Sequence, residues 1–237
     1  MRAVSTAFFL LLCSASSIAQ DSFSVQLTQS VASLNGAGIF HTVALDREVT
    51  ELALGYSHPL HHFRYFRLDY HGDVIPFVWI SDPALRETFT DASTGAPLGE
   101  IEVRQLASVA RSISDFSSTQ PGVTTTFAAT RSSAYGGGIR PIGLEAHFRP
   151  EKGVQPFLSG SAGFLQFTRS EPIDHAAGFN FTFTVGAGVE AKDHGRNAYF
   201  ASYRFFHISN AETGTFNPGV NLHSISVGYR FRLHASQ

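Results

Sequence analysis

Between Phe179 and Ala191 the sequence alternates without a break. Phe179, Phe181, Phe183, Val185, Ala187, Val189 and Ala191 fall on one parity, and Asn180, Thr182, Thr184, Gly186, Gly188 and Glu190 on the other. Successive side chains of an extended strand point to opposite faces, so the segment has one apolar and one polar wall. A chain built from such segments must find two different surroundings for its two faces.

The pattern recurs along the chain. A first strand at about 22 to 32 carries Phe23, Val25 and Leu27 on one face, and a second carries Leu52, Leu54 and Tyr56 up to Pro59. A third sets Phe66, Leu68, Tyr70, Val74 and Val78 against Arg67, Asp69, His71 and Asp73. The fourth, from Ser133, sets Ile142, Leu144, Ala146 and Phe148 against Glu145 and His147; the fifth, Gln155 to Phe167, is apolar and Gly-rich. The Phe179 segment is the sixth. The seventh sets Tyr199, Ala201, Tyr203 and Phe205 against Phe200, Ser202, Arg204 and Phe206, and the eighth sets Ile225, Val227, Tyr229, Phe231 and Leu233 against Ser224, Ser226, Arg230 and Arg232. Eight strands without a long helix predict an all-β, antiparallel up-and-down barrel. The polar faces mix small residues with Arg, Asp and Glu, and the apolar faces are thick with aromatics. That is the inside-out pattern of a transmembrane barrel, whose narrow interior is filled by side chains and leaves no pore.

The rest of the composition agrees. Only 15% of residues are charged, where about 25% is usual for a soluble domain. A net charge of -2 gives no basic field for nucleic acid. Arg2, the apolar run Ala7 to Cys13 and the small residues of Ser17-Ile18-Ala19 read as a cleaved signal peptide at 1–19, leaving the barrel at 20–237. The single cysteine falls inside that signal, so the exported chain has no disulfide. No apolar stretch of about 20 residues follows, which excludes helical spans. Residues 81 to about 132 lose period-2 order and read as one long external loop or cap, with a short helix near Ile101 to Ile113.

Chemistry concentrates in the last hairpin. Extending the lipid-facing parity of the seventh strand past Phe205 reaches His207 and Ser209; extending that of the eighth backward reaches His223 and Asn221. An imidazole beside a hydroxyl, with a third group to orient it, is the arrangement that activates a serine nucleophile. The plain alternative is a set of interfacial polar residues where the strand leaves the bilayer.

The segment FFHISNAETGTFNPGVN, together with PFLSGSAGFLQF and FNFTFTVGAGVEAK, resembles the lipid A 3-O-deacylase (PagL) family, and in particular its branch of acyloxyacyl hydrolases. The resemblance covers residues 135 to 235 well and 22 to 80 loosely. It implies a serine esterase of the Gram-negative cell outer membrane that removes the 3-position acyl chain of lipid A without a cofactor or metal. On that resemblance Ser209 is the nucleophile and His207 its base, Asn217 stabilises the oxyanion, and Asn210 is a neighbouring motif asparagine. The family's acid position falls on Asn221, where founding members carry glutamate, and Glu212 is the alternative acid. Partners implied are lipid A or lipopolysaccharide and outer-membrane lipids, with no nucleic acid; a homodimer is compatible with them.

Other clusters read as structural. His58, His61 and His62 lie at a turn without an acidic partner inside it, Gly136-Gly137-Gly138 has no helix after it, and Arg67, Asp69 and Asp73 read as an internal polar network. The competing function classes are a non-catalytic barrel, acting as an adhesin or membrane stabiliser through its long loop, and a soluble periplasmic barrel around an apolar ligand.

Overall fold

The computed structural model describes residues 21–33, 47–104, 121–150, 152–171, 176–193, 197–213 and 219–233. The expected signal at 1–19, the part of the expected helix beyond Arg104, and Asn217 lie outside them. Among the described residues nine strands form one antiparallel sheet: β1 (Ser22–Ser33), β2 (Glu48–His62), β3 (Phe66–Asp91), β4 (Pro97–Val103), β5 (Val123–Phe148), β6 (Val154–Glu171), β7 (Ala177–Lys192), β8 (Ala198–Ser209) and β9 (Val220–Arg232). Neighbours in sequence pair around the sheet, β3 pairs β5, and β1 pairs β9, which closes the ring. The closed ring has the eight expected strands. β4 is the ninth, attached to the edge of β3 above the level where β2 ends.

Which wall faces inward is settled by burial. Phe23, Val25, Leu27, Leu144, Phe181, Phe183, Val185, Ile225 and Val227 are exposed on the outside, while Ser24, Gln26, Glu51, Asp73, Glu145, Arg204 and Arg230 are buried within. The apolar outer band and polar lumen are what a bilayer demands of a closed barrel.

The lumen holds two layers. Toward the termini, five arginines (Arg67, Arg140, Arg204, Arg230, Arg232) meet five carboxylates (Glu51, Asp69, Asp73, Glu145, Glu190). Arg140 donates to Glu51 Oε1 and Oε2 at 2.5 and 2.9 Å and to Asp73 Oδ2 at 3.0 Å. Arg230 donates to Glu145 Oε2 at 2.8 Å and pairs with Glu190 at 3.2 Å. Arg204 donates to Gln26 Oε1 at 2.7 Å. Charges buried in this way need both balance and hydrogen bonds to be tolerated. Toward the other end the filling turns apolar, with Val49, Val78, Ile80, Leu165, Phe206, Ile208, Val220 and Leu222 packed together. Above them Asp82 and Glu171 meet Arg47, Arg104 and Arg169 across the mouth.

Three expectations need correction. Residues 81 to 132 are not a loop throughout: β3 runs on to Asp91, β4 occupies Pro97–Val103, and β5 begins at Val123. Ile101 to Val103 are therefore strand, not helix. These strands extend past the ring as a three-stranded arm, and with water on both sides they have no reason to alternate. The β3–β4 turn is built by Asp91, whose Oδ1 accepts the Ser93 and Thr94 amides, both at 2.8 Å, and the Ser93 hydroxyl at 2.6 Å. Gly95 takes the left-handed backbone the turn requires (φ 70°). Second, Val78 does not share a face with Val74. A bulge between Ile75 and Val78 leaves Pro76 and Phe77 both outward and turns Val78 into the lumen. Proline, lacking an amide donor, sits where the ladder is already broken. Third, β2 does not stop at Pro59 but continues through a bulge to His62.

The glycine run lies within β5 rather than at a strand start. A Cβ on Gly136 or Gly138 would come within 2.4 and 2.0 Å of the backbone carbonyls of Gln166 and Phe164. The run permits a close approach of β5 and β6.

Candidate active site

β8 and β9 pair in a register that sets His207 opposite Asn221 and Phe205 opposite His223. On the other side β7 pairs with β8, so that Phe183 faces His207 and Phe181 faces Ser209. His207 and Ser209 are half-buried on the outward face, two residues and thus about 7 Å apart along the strand. Phe206 and Ile208, alternating with them, point inward into the apolar layer, as do Val220 and Leu222 on either side of Asn221. The hairpin end is thus backed by close-packed hydrocarbon, which holds the outward side chains on a rigid support.

Asn221 is fully buried, and its Oδ1 lies 2.7 Å from His207 Nδ1. With the amide oxygen as acceptor, the imidazole proton sits on Nδ1 and Nε2 is left as the basic nitrogen. Asn221, the third member expected from the sequence, is thus the residue that meets the His207 ring at Nδ1. Glu212, the alternative acid, lies on the exposed turn beyond Ser209, its backbone amide bonded to Asn210 Oδ1 at 3.0 Å.

Asn210 has a structural task that sequence reasoning did not assign. It is fully buried, and its carbonyl accepts the Thr213 amide at 3.0 Å and the Thr213 hydroxyl at 2.7 Å. Between them Ala211 (φ 48°) and Glu212 (φ 63°) both adopt the left-handed conformation of a type I′ turn. Neither is glycine, so the turn carries strain of roughly 1–3 kcal/mol per residue, offset by the bonds of Asn210. The Ala211 amide also donates to Ser209 Oγ at 3.2 Å, coupling the hydroxyl to the turn.

A second pair went unseen in the sequence. The Tyr203 hydroxyl bonds His223 Nδ1, the two rings stacking at 5.5 Å, and Phe205 meets the same imidazole edge-on at 5.9 Å. Tyr203 and His223 share the outward parity of adjacent strands, and that diagonal was the available signal. The turn histidines separate: His58 pairs with Asp21 at 2.6 Å, and His61 meets Phe63 edge-on at 4.4 Å. Among the described residues no group of three His, Cys, Asp or Glu side chains is placed to hold a metal.

Fold and side-chain distribution define a membrane-spanning β-barrel with a His–Ser–Asn constellation at the end of its last hairpin. Residues 114–230 match the family model described as Lipid A 3-O-deacylase (PagL), a match that takes in β5 to β8, β9 as far as Arg230, and the whole candidate site. Over that stretch the chain matches the lipid A 3-O-deacylase (PagL) family, and the resemblance read from its motifs is borne out. Similar solved structures include the outer membrane enzyme PagL (14% identity, 90% of this chain and 99% of that one, TM-score 0.49). Neisserial surface protein A (10%, 90% and 97%, 0.43) and the outer membrane protein AlkL (12%, 92% and 93%, 0.36) are also similar. No curated protein matches the sequence.

Proposed function

We propose that the chain is an outer-membrane serine esterase that removes an ester-linked acyl chain, the 3-O chain, from lipid A. The observation that carries the reading is the His207–Asn221 contact beside Ser209, on the outward face of a barrel segment matched by the deacylase family. The substrate's esters lie at the membrane surface, and a site on the outward wall meets them without passing through the lumen. Both ends of the described chain lie at the end of the barrel with connections of three, five and five residues, 63–65, 149–153 and 193–197. Short turns face the periplasm in barrels of this type, so the candidate site lies toward the outer leaflet.

The chemistry follows from the roles of the three groups. His207 Nε2 takes the Ser209 proton as Oγ attacks the ester carbonyl, and the tetrahedral intermediate collapses as the imidazolium returns that proton to the leaving sugar oxygen. Water, deprotonated by the same nitrogen, then attacks the acyl-serine and releases the fatty acid, restoring the hydroxyl. Asn221 holds the tautomer and orientation of the ring but adds no negative charge to stabilise the imidazolium. Asn217 is the proposed oxyanion donor from the family resemblance.

The test is mass spectrometry of lipid A after incubation with the purified barrel and with Ser209→Ala. Loss of one hydroxyacyl group with the wild type alone is the expected result. Unchanged lipid A with both proteins points to a non-catalytic barrel.

A further inference from the structure

The outer wall is not smooth. Where β1, β2, β3 and β5 lie side by side, toward the termini, it is indented by a groove of about 630 Å³. That volume is in the range of pockets that take one small apolar ligand, about 300–1,000 Å³. The groove lies around the barrel from His207 and Ser209 and toward the other rim, its edge being Phe23, which pairs with Tyr56 and Phe231 near the strand ends. Leu54 and Val74 form its upper walls, both about half exposed.

Its hollow is produced by Gly72, the outward residue between Tyr70 and Val74. Any Cβ there would come 2.9 Å from the Tyr70 hydroxyl, which leans over the glycine to donate to the Pro141 carbonyl at 2.7 Å. With the tyrosine fixed by that bond, the space beyond it is left for another molecule. At the rim, Asp21 accepts the Tyr56 hydroxyl on Oδ2 (3.0 Å) and meets His58 Nδ1 on Oδ1 (2.6 Å). Each carboxylate oxygen keeps a second acceptor site for a donor arriving from the membrane surface.

We propose that this groove holds one acyl chain of a phospholipid in the leaflet on the terminal side, with an ammonium-bearing headgroup, such as ethanolamine, at Asp21. Depth in the bilayer makes the occupant hydrocarbon, because water is absent there. The carboxylate at the mouth selects the source: it attracts the ammonium of a zwitterionic headgroup and disfavours lipids of net negative charge, such as lipid A or phosphatidylglycerol. The inference concerns a different wall from the candidate ester site and stands whether or not that site is active.

The measurement is native mass spectrometry of the delipidated barrel titrated with phosphatidylethanolamine, phosphatidylglycerol or lipid A. Wild type retains one phosphatidylethanolamine, and Leu54→Trp with Val74→Trp, which fill the groove from outward positions, weakens retention about tenfold. Asp21→Asn keeps the chain but loses the preference for phosphatidylethanolamine over phosphatidylglycerol. Acyl release at Ser209 is unchanged in both variants. Equal retention by wild type and the filled variant overturns the proposal, as does preference for lipid A. Cross-linking of two barrels through this wall would assign the groove to a second copy and overturn it too.

Discussion

The two layers inside the barrel solve one packing problem by opposite means. Toward the termini the lumen is filled by paired charges, and toward the long connections by Phe206, Ile208, Leu222 and their neighbours. A charge lattice is held by directional bonds, so removing one member strands the others. An apolar layer is held by contact, so removing a side chain leaves a cavity into which neighbours partly relax. The candidate site stands outside the apolar layer, where alternation places catalytic candidates outward and close-packed hydrocarbon behind them. The difference teaches that the lattice secures the barrel and the apolar layer secures the geometry of the hairpin end.

Removing Arg140 is the strongest way to break the lattice. Arg140→Met leaves Glu51 and Asp73 buried without their cation, and a loss of about 3–5 kcal/mol is expected in urea unfolding followed by fluorescence. Turnover of the surviving folded fraction should stay near wild type. Leu222→Ala attacks the other layer and should cost about 2–5 kcal/mol, since the side chain is fully buried. Here turnover should fall as well, because Leu222 lies next to Asn221. If Arg140→Met lowered turnover as much as Leu222→Ala, the division of labour between the layers would be wrong.

How much of this was legible in the sequence depends on whether the two faces of a segment meet different surroundings. From Phe179 to Ala191 one face meets lipid and the other the lumen, and the alternation states both. Thr124, Thr125 and Thr126 also belong to a strand, but in the projecting arm both faces see water. Their β-branched side chains were the remaining signal. The bulge at Pro76 and Phe77 was hidden for a different reason, since a parity count assumes an unbroken ladder. In the site, the His207–Asn221 pair was legible because hairpin register places the two outward files side by side. The turn-building role of Asn210 was not, since it depends on the left-handed backbone of Ala211 and Glu212. Phe206 and Ile208 were readable as inward residues, but not as members of a separate apolar layer, which needs residues from four other strands.

The contact that joins the apolar backing to the candidate chemistry is Asn221. Asn221→Ala removes the acceptor on His207 Nδ1, and turnover should fall about 10- to 100-fold in a deacylation assay, well beyond the effect of Glu212→Ala. The reverse ranking would move the acid role to the turn. Asn221→Asp keeps the shape and adds the charge that stabilises imidazolium, so turnover should rise above wild type, by about tenfold or more. A fall instead would show that the buried carboxylate costs more than it contributes at this position.

The smallest effect tests the solvated counterpart of the buried charges, in the arm outside the membrane. Hydrogen bonds from the Ser93 hydroxyl and the Thr94 and Ser93 amides hold the Asp91 carboxyl at about 2, below its ordinary value of 3.8. The lowered value means that the folded turn favours the carboxylate. Its contribution is complete above about pH 4 and is lost as the pH falls through 3.8 toward 2. Because the group lies beyond the ring, the loss should be confined to the hairpin. Hydrogen exchange at the Ser93, Thr94 and Gly95 amides should quicken over that interval while the amides of β7 and β8 stay protected. Asp91→Asn should keep the turn bonded through its amide oxygen and abolish the acid dependence. If acid loosened β7 and β8 together with the hairpin, the arm would have to share the stability of the barrel rather than stand on its own local bonds.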